Sequence, residues 1–291
     1  MHNTISALVM ASALCFGVAG AQPAAPPAMN PDYARRANVF GPDVAPIEPF
    51  KIVGNIYYVG AANTAAYLIT DPKGHILIDT GPSLQSSSLF PNIIKLGFNV
   101  KDVKVLLPSH AHVDHVQGFE FAKRETGAVI MAMAPDVPAL VAGKDLSSLG
   151  VEGWEPITVD RVLQDNDLIT VGKTSVRAIW TPGHTQGSTA YIVTTEDGGR
   201  AYTVSFGGPA TPVVGNPKFD TRPEDALNSF KRMREAKVDI MLPGHPRNAF
   251  KDKLDALRAG TRPHPLLMAP GAWTKQIDDA EAAYKKRLAG G

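Results

Sequence analysis

The chain has a single cysteine, Cys15, in 291 residues. That excludes an intrachain disulfide and any metal site built from several thiolates. Neither sign of charge predominates: 29 Lys and Arg stand against 28 Asp and Glu, a formal charge of +1. The basic footprint of a nucleic-acid binder is therefore missing, and no nucleic-acid partner is expected. With 44% hydrophobic and 20% charged residues, the polarity of a disordered chain is missing too. Long apolar runs are equally scarce. The one candidate, Ile5 to Gly20, is shorter than the roughly 20 residues that a membrane span needs. It lies in residues 1–21, which contain no Lys, Arg, Asp or Glu and close on Ala19-Gly20-Ala21. This reads as a cleaved secretory signal and implies a periplasmic or secreted protein, with a short membrane anchor as the rival reading. Signal removal takes Cys15 with it, so the mature chain has no cysteine and no membrane span.

Residues 22–49 hold seven prolines, which disfavour helix interiors and central strands, and read as an extended arm that includes Tyr33 and Phe40. Residues 50–291 read as one mixed α/β domain with helices packed outside sheets. Lys51–Val53, Ile56–Val59, Ala66–Ile69 and His75–Ile78 are β-rich runs separated by turn residues, the pattern of an antiparallel meander. Further strands are expected at Val103–Leu107, Val129–Met131, Ser175–Trp180, Ala190–Thr194 and Val238–Leu242. Helices are expected at Leu89–Leu96, Phe119–Glu125, Pro223–Ala236, Asn248–Ala259 and Thr274–Leu288, the last two as structural cover. No partner protein is implied.

Three segments share one design: Leu107-Pro108-Ser109-His110, Thr181-Pro182-Gly183-His184 and Leu242-Pro243-Gly244-His245. In each, a strand-like run meets Pro, which ends the ladder, and a small residue lets an imidazole project beyond the strand. The densest signal is His110-Ala111-His112-Val113-Asp114-His115. Packing explains such a cluster poorly, because crowded imidazoles and a carboxylate would give up hydration for little return. The spacing fits neither one helical face nor one side of a strand and suits a loop around two metal ions. His110, His112 and His184 form one set of three, and Asp114, His115 and His245 the other. Three protein ligands leave an open coordination position, as catalytic zinc sites do. Nitrogen and oxygen donors favour zinc over magnesium or calcium, with iron, manganese and cobalt still open. The bland reading, a surface or core histidine, suits His2, His75 and His264.

The His-x-His-x-Asp-His loop follows Ile78-Asp79-Thr80-Gly81 and precedes the turns of His184 and His245. In this it resembles the metallo-β-lactamase superfamily, whose fold is a four-layer αββα sandwich of two mixed sheets with outer helices. Classes with a cysteine ligand are excluded by the cysteine-free mature chain. Lactonases and glyoxalase II-like thioesterases carry a bridging Asp between the last two ligand histidines, yet Ala201 to Pro209 contains no acidic residue. That leaves the subclass B3 pattern, which Phe50–Gly60, Val159-Asp160-Arg161 and Gly215-Asn216-Pro217 also resemble.

The resemblance implies two Zn²⁺ ions and hydrolysis of a small-molecule substrate, the β-lactam amide of penicillins, cephalosporins or carbapenems, conferring antibiotic resistance. Asp114 would orient the attacking hydroxide and take up its proton, making it the catalytic carboxylate. Asp79 would steady the ligand loop from behind, or simply end a strand as a polar residue. Ser205 would bind the substrate carboxylate, while Gly207 stands where a second serine is often found. Trp154 would line the pocket or be a buried structural residue, and the arm would fold over the cleft or be a disordered leader. A related hydrolase of lactones, thioesters or phosphoesters is the first alternative; a non-catalytic periplasmic zinc-binding protein is the second.

Overall fold

The computed structural model describes residues 45–82, 86–148, 153–209, 218, 220–246 and 249–290. The expected signal, most of the arm with Tyr33 and Phe40, and Gly215-Asn216-Pro217 lie outside the described residues. Alternation of apolar and turn residues produces β1 (Phe50–Val53), β2 (Ile56–Tyr58), β3 (Tyr67–Asp71) and β4 (Gly74–Ile78). They pair antiparallel in sequence order, as the meander pattern predicts. From β4 onward pairing becomes parallel, through β5 (Val103–Leu107), β6 (Val129–Met133) and β7 (Arg161–Leu163). Parallel neighbours need crossovers. These are supplied by α1 (Ser86–Lys95), the one-turn α2 (Val113–Val116) with α3 (Phe119–Thr126), and α4 (Val137–Ala142).

The second sheet has the order β12-β11-β10-β9-β8. Its strands are β8 (Leu168–Val171), β9 (Thr174–Trp180), β10 (Thr189–Asp197), β11 (Arg200–Phe206) and β12 (Ile240–Leu242). Only β11 and β12 run parallel, and α5 (Pro223–Glu235) lies in their crossover. Helices α6 (Ala249–Arg258) and α7 (Ala272–Leu288) complete the chain.

The two sheets face each other across a core in which Tyr67, Ile69, Ile76 and Ile78 meet Val176, Ala178, Tyr191 and Phe206. The intervening residues Leu68 and Leu77 point the other way, onto Ile93, Val116 and Phe119 of the helices. Period-two alternation thus feeds two layers at once, and β4, covered on both faces, is buried throughout. Beyond the second sheet, Phe230 and Met233 of α5 pack on Trp273 and Ile277 of α7. The result is the expected α/β/β/α sandwich. Three strands escaped the sequence reading. β7 has only three residues and β8 four, while β11 brings only Val204, Ser205 and Phe206 fully inside. The end of the arm joins the domain: Ala45 accepts a hydrogen bond from the Ala62 N–H, and Ile47 packs on the inter-sheet core.

Candidate metal centre

Strands β4 and β5 of one sheet and β9 and β12 of the other end at a common rim, each delivering a polar residue just past its last ladder bond. Asp79 follows β4, Pro108-Ser109-His110 follows β5, Pro182-Gly183-His184 follows β9 and Pro243-Gly244-His245 follows β12. The ligand segment is not wholly the expected loop. His110 and His112 lie on loop, whereas Asp114 and His115 stand on the single turn of α2. That change of backbone aims the two pairs in different directions.

All six side chains converge into two sets, His110, His112 and His184, and Asp114, His115 and His245, with one ligand atom from each residue within 4.8 Å of the others in its set. In the first, the His184 ring centroid lies 4.8 Å from that of His110 and 4.4 Å from that of His112. In the second, His245 Nε2 is 3.1 Å from Asp114 Oδ2 and 3.2 Å from His115 Nε2, and His115 Nε2 is 3.6 Å from the same carboxylate oxygen. Donors held tetrahedrally at zinc bond lengths stand about 3.3–3.5 Å apart, so this triangle has the dimensions of a single-cation site. The first set fits a cation as well: His110 Nε2 is buried without a hydrogen-bond partner, a cost that a bound metal removes.

Surrounding groups fix the rings. Asp79 adopts φ 56°, an uncommon backbone conformation for a residue other than glycine. Its carboxylate accepts from the Ser109 N–H at 2.7 Å, the Ser109 hydroxyl at 2.7 Å and His115 Nδ1 at 2.8 Å. His245 Nδ1 lies 2.9 Å from the Asn63 carbonyl. With Nδ1–H donated in both cases, both Nε2 atoms are left for a metal. Asp145 Oδ2 approaches His112 Nε2 to 3.3 Å, an ion-pair distance without hydrogen-bond alignment. Asp136 ties two ligand loops together, accepting from the Ala111 N–H at 2.8 Å, the Thr185 hydroxyl at 2.8 Å and the Gly187 N–H at 2.7 Å. Asn63, Asp136 and Asp145 were not singled out from sequence. Only Asp136 had a signal, an acid just past a buried parallel strand that neighbours β5.

Charge is divided between the sets. Burial pushes the His110 imidazole well below its usual range, helped by His115 and His112. His184 is lowered to about 4, mostly by burial, with His112 and His115 adding to it. Burial opposes ionisation of Asp114, but His115 and His245 outweigh it and hold the carboxyl well below the usual carboxylate range. Burial likewise disfavours the His115 cation, yet Asp114 and Asp79 push the ring up to about 9. His110 and His184 are thus held uncharged and Asp114 ionised, donor forms suited to divalent cations.

A cleft of about 380 Å³ opens over the centre, bounded by Phe206, Gly207, Met241, Leu242 and Gln276 among others. Two expected substrate contacts are not on it. Ser205 is fully buried and donates its hydroxyl to the Gly207 carbonyl at 2.7 Å. Residue alternation along β11 puts Phe206, not Ser205, at the cleft. Trp154 is 1% exposed and packs among the core residues under the first sheet, its indole N–H donating to the Leu140 carbonyl. It is the buried structural tryptophan of the two readings. Gly207 does line the cleft, at φ 93°, where a serine side chain would be strained.

The profile of the metallo-β-lactamase superfamily matches residues 59–245. Among solved structures, BJP-1, a subclass B3 metallo-β-lactamase of Bradyrhizobium japonicum, is 33% identical with a TM-score of 0.75, covering 87% of this chain and 97% of its own. The native FEZ-1 metallo-β-lactamase of Legionella gormanii is 32% identical at a TM-score of 0.75, covering 84% and 96%. Curated relatives match over shorter stretches. A probable metallo-hydrolase of Burkholderia pseudomallei is 34% identical over 94 residues, 32% of each chain. A hydroxyacylglutathione hydrolase of Rhodospirillum rubrum is 29% identical over 136 residues, 47% of this chain and 41% of that one. The matched segments therefore span well under half of those relatives. The profile match across the ligand loops and the likeness to B3 structures along most of both chains agree with the paired ligand sets: this chain belongs to the metallo-β-lactamase superfamily.

Proposed function

We propose that the protein is an exported, zinc-dependent β-lactam hydrolase of the B3 kind. The observation that carries this reading is the second ligand set, an Asp and two His that share no residue with the first set. A thioesterase of the glyoxalase II type would need a carboxylate common to both. His110, His112 and His184 would hold one Zn²⁺, and Asp114, His115 and His245 the other. A bound zinc pair lowers the pKa of water toward about 7 and polarises a carbonyl. The remaining work falls to the chain. Asp114, ionised at neutral pH, orients the attacking water and takes up its proton. Asp79 and the Asn63 carbonyl keep the His115 and His245 rings in the tautomer that ligates, and Phe206, Met241 and Leu242 give the ring system an apolar wall. Water adds across the lactam C–N bond, leaving a carboxylate and an amine. Residues 1–21 act as the cleaved signal, which puts the mature enzyme in the periplasm or outside the cell.

A second reading, thioester hydrolysis, has support in the hydroxyacylglutathione hydrolases among the relatives. Turnover of a chromogenic cephalosporin, a lactone and a glutathione thioester by the zinc-loaded protein, with and without chelator, separates the two. The cephalosporin is expected to be the best substrate, and Asp114→Ala to lose nearly all activity. Thioester turnover without cephalosporin turnover would sink the β-lactam reading. Bound zinc without hydrolysis of any of the three would indicate a non-catalytic zinc-binding protein.

A further inference from the structure

With Ser205 turned into the protein, the cleft needs another group to receive the acidic end of a substrate. Among the described residues that line it, none is Lys or Arg. The other polar side chains, apart from the ligands and Asp79, are nearly all committed. Tyr67 donates to the Pro243 carbonyl, Ser109 to Asp79, Thr181 to the Ser188 carbonyl and Thr189 to the Gly187 carbonyl, while the Ser188 hydroxyl is shared with Thr185. Gln276 is the exception. Its carboxamide lines the cleft with no hydrogen bond to any described residue, and it is only partly buried.

The helix beneath it is anchored. Trp273 and Ile277 of α7 are buried against Phe230 and Met233, and the Trp273 indole N–H donates to the Met233 carbonyl at 3.0 Å. Gln276, beside Ile277, is therefore presented from a rigid element. The wall next to it has no side chain: a Cβ on Gly208 would lie 3.8 Å from Gln276 Nε2 and 3.6 Å from Met241 Sδ. Ligand atoms can therefore reach the carboxamide over bare backbone.

We infer that Gln276 is the substrate-binding residue that donates its carboxamide N–H to the carboxylate of an acidic substrate whose reacting carbonyl sits at the metal centre. The inference deepens the hydrolase reading and rests on it for the position of that carbonyl. A neutral donor facing a carboxylate gives a charge-assisted hydrogen bond, and its loss weakens binding roughly tenfold or more.

The test measures binding, so that it stands apart from turnover. An N-mercaptoacyl proline anchors its thiol at the metals and presents a carboxylate, and its methyl ester presents none. Calorimetric Kd values for both are compared in zinc-loaded wild type, Gln276→Ala and Gln276→Glu. Wild type is expected to prefer the acid. Gln276→Ala should weaken the acid about tenfold and Gln276→Glu more, with the ester unchanged in all three proteins. A wild type without that preference, variants that keep it, or equal loss for acid and ester would overturn the assignment. Cephalosporin turnover by the wild type decides the β-lactam reading whichever way the binding result falls.

Discussion

A Cβ on Gly244 would lie 2.8 Å from Cε1 of His115. The glycine between Pro243 and His245 is therefore more than a turn residue, since it makes room for a ligand ring from the opposite sheet. Gly244→Ala should displace that ring and empty the second site, so that the zinc-loaded variant carries one ion fewer than the zinc-loaded wild type by elemental analysis after gel filtration. Two ions held at wild-type affinity would refute this. At this scale the histidines were legible because Pro, a small residue and His recur at three strand ends. Residues read by likeness alone fared differently. Whether Ser205 faces cleft or core depends on the register of β11, a strand with little apolar signature, and Trp154 follows a stretch without periodicity. Gln276 and Asn63 were invisible because nothing near them in sequence marks the cleft, which only the packed sheets bring to them.

Among the elements, α4 contributes Ala139 and Leu140 to the core between the first sheet and its helices. Trp154 packs there beside Leu140 and Ala139. Trp154→Ala should cost about 3–5 kcal/mol of stability, read by denaturant unfolding, while zinc stoichiometry stays at the wild-type value. A stable variant with altered substrate affinity would instead return Trp154 to the pocket. Asp160, just before β7, accepts from the Ile130 N–H of β6 and from the Lys123 ammonium of α3, each at 2.7 Å. Burial opposes its ionisation, but Lys123 and that N–H hold its pKa below the usual carboxylate value. A depressed carboxyl stabilises the fold above its unfolded pKa, near 4, and the contribution fades as pH falls through the folded value. Asp160→Ala should therefore cost about 1–2 kcal/mol at pH 7, with the gap to wild type closing below about pH 4. A gap independent of pH would show that the ion pair and its hydrogen bonds are not its source. The antiparallel meander was readable from strict alternation between turn residues. β7 and β8 were not, because strands of three and four residues carry too little pattern to separate from loop.

For the whole molecule, both ligand sets straddle the divide between the sheets. His110, His112, Asp114 and His115 come from the first-sheet half, and His184 and His245 from the second. A metal held by either set would therefore join the halves. Free zinc at a hundred times its Kd should add about 2.7 kcal/mol to stability for each site filled, visible as a rise in Tm that chelator reverses; a Tm unmoved by chelation would show that the sets do not hold metal in the folded state. The mixed α/β class was legible because its cause, apolar alternation followed by strands interleaved with helices, is written locally, whereas the four-layer order came with the superfamily resemblance. The closeness of the two sets is a property of the assembled sandwich, foreshadowed only by the repeated turn. Because each cation would be gripped from both sides, pulling the sheets apart has to strip it from one partner at the same moment as the interior opens. With free metal held well above its Kd, ion release and collapse of the tertiary signal should then trace one curve in denaturant.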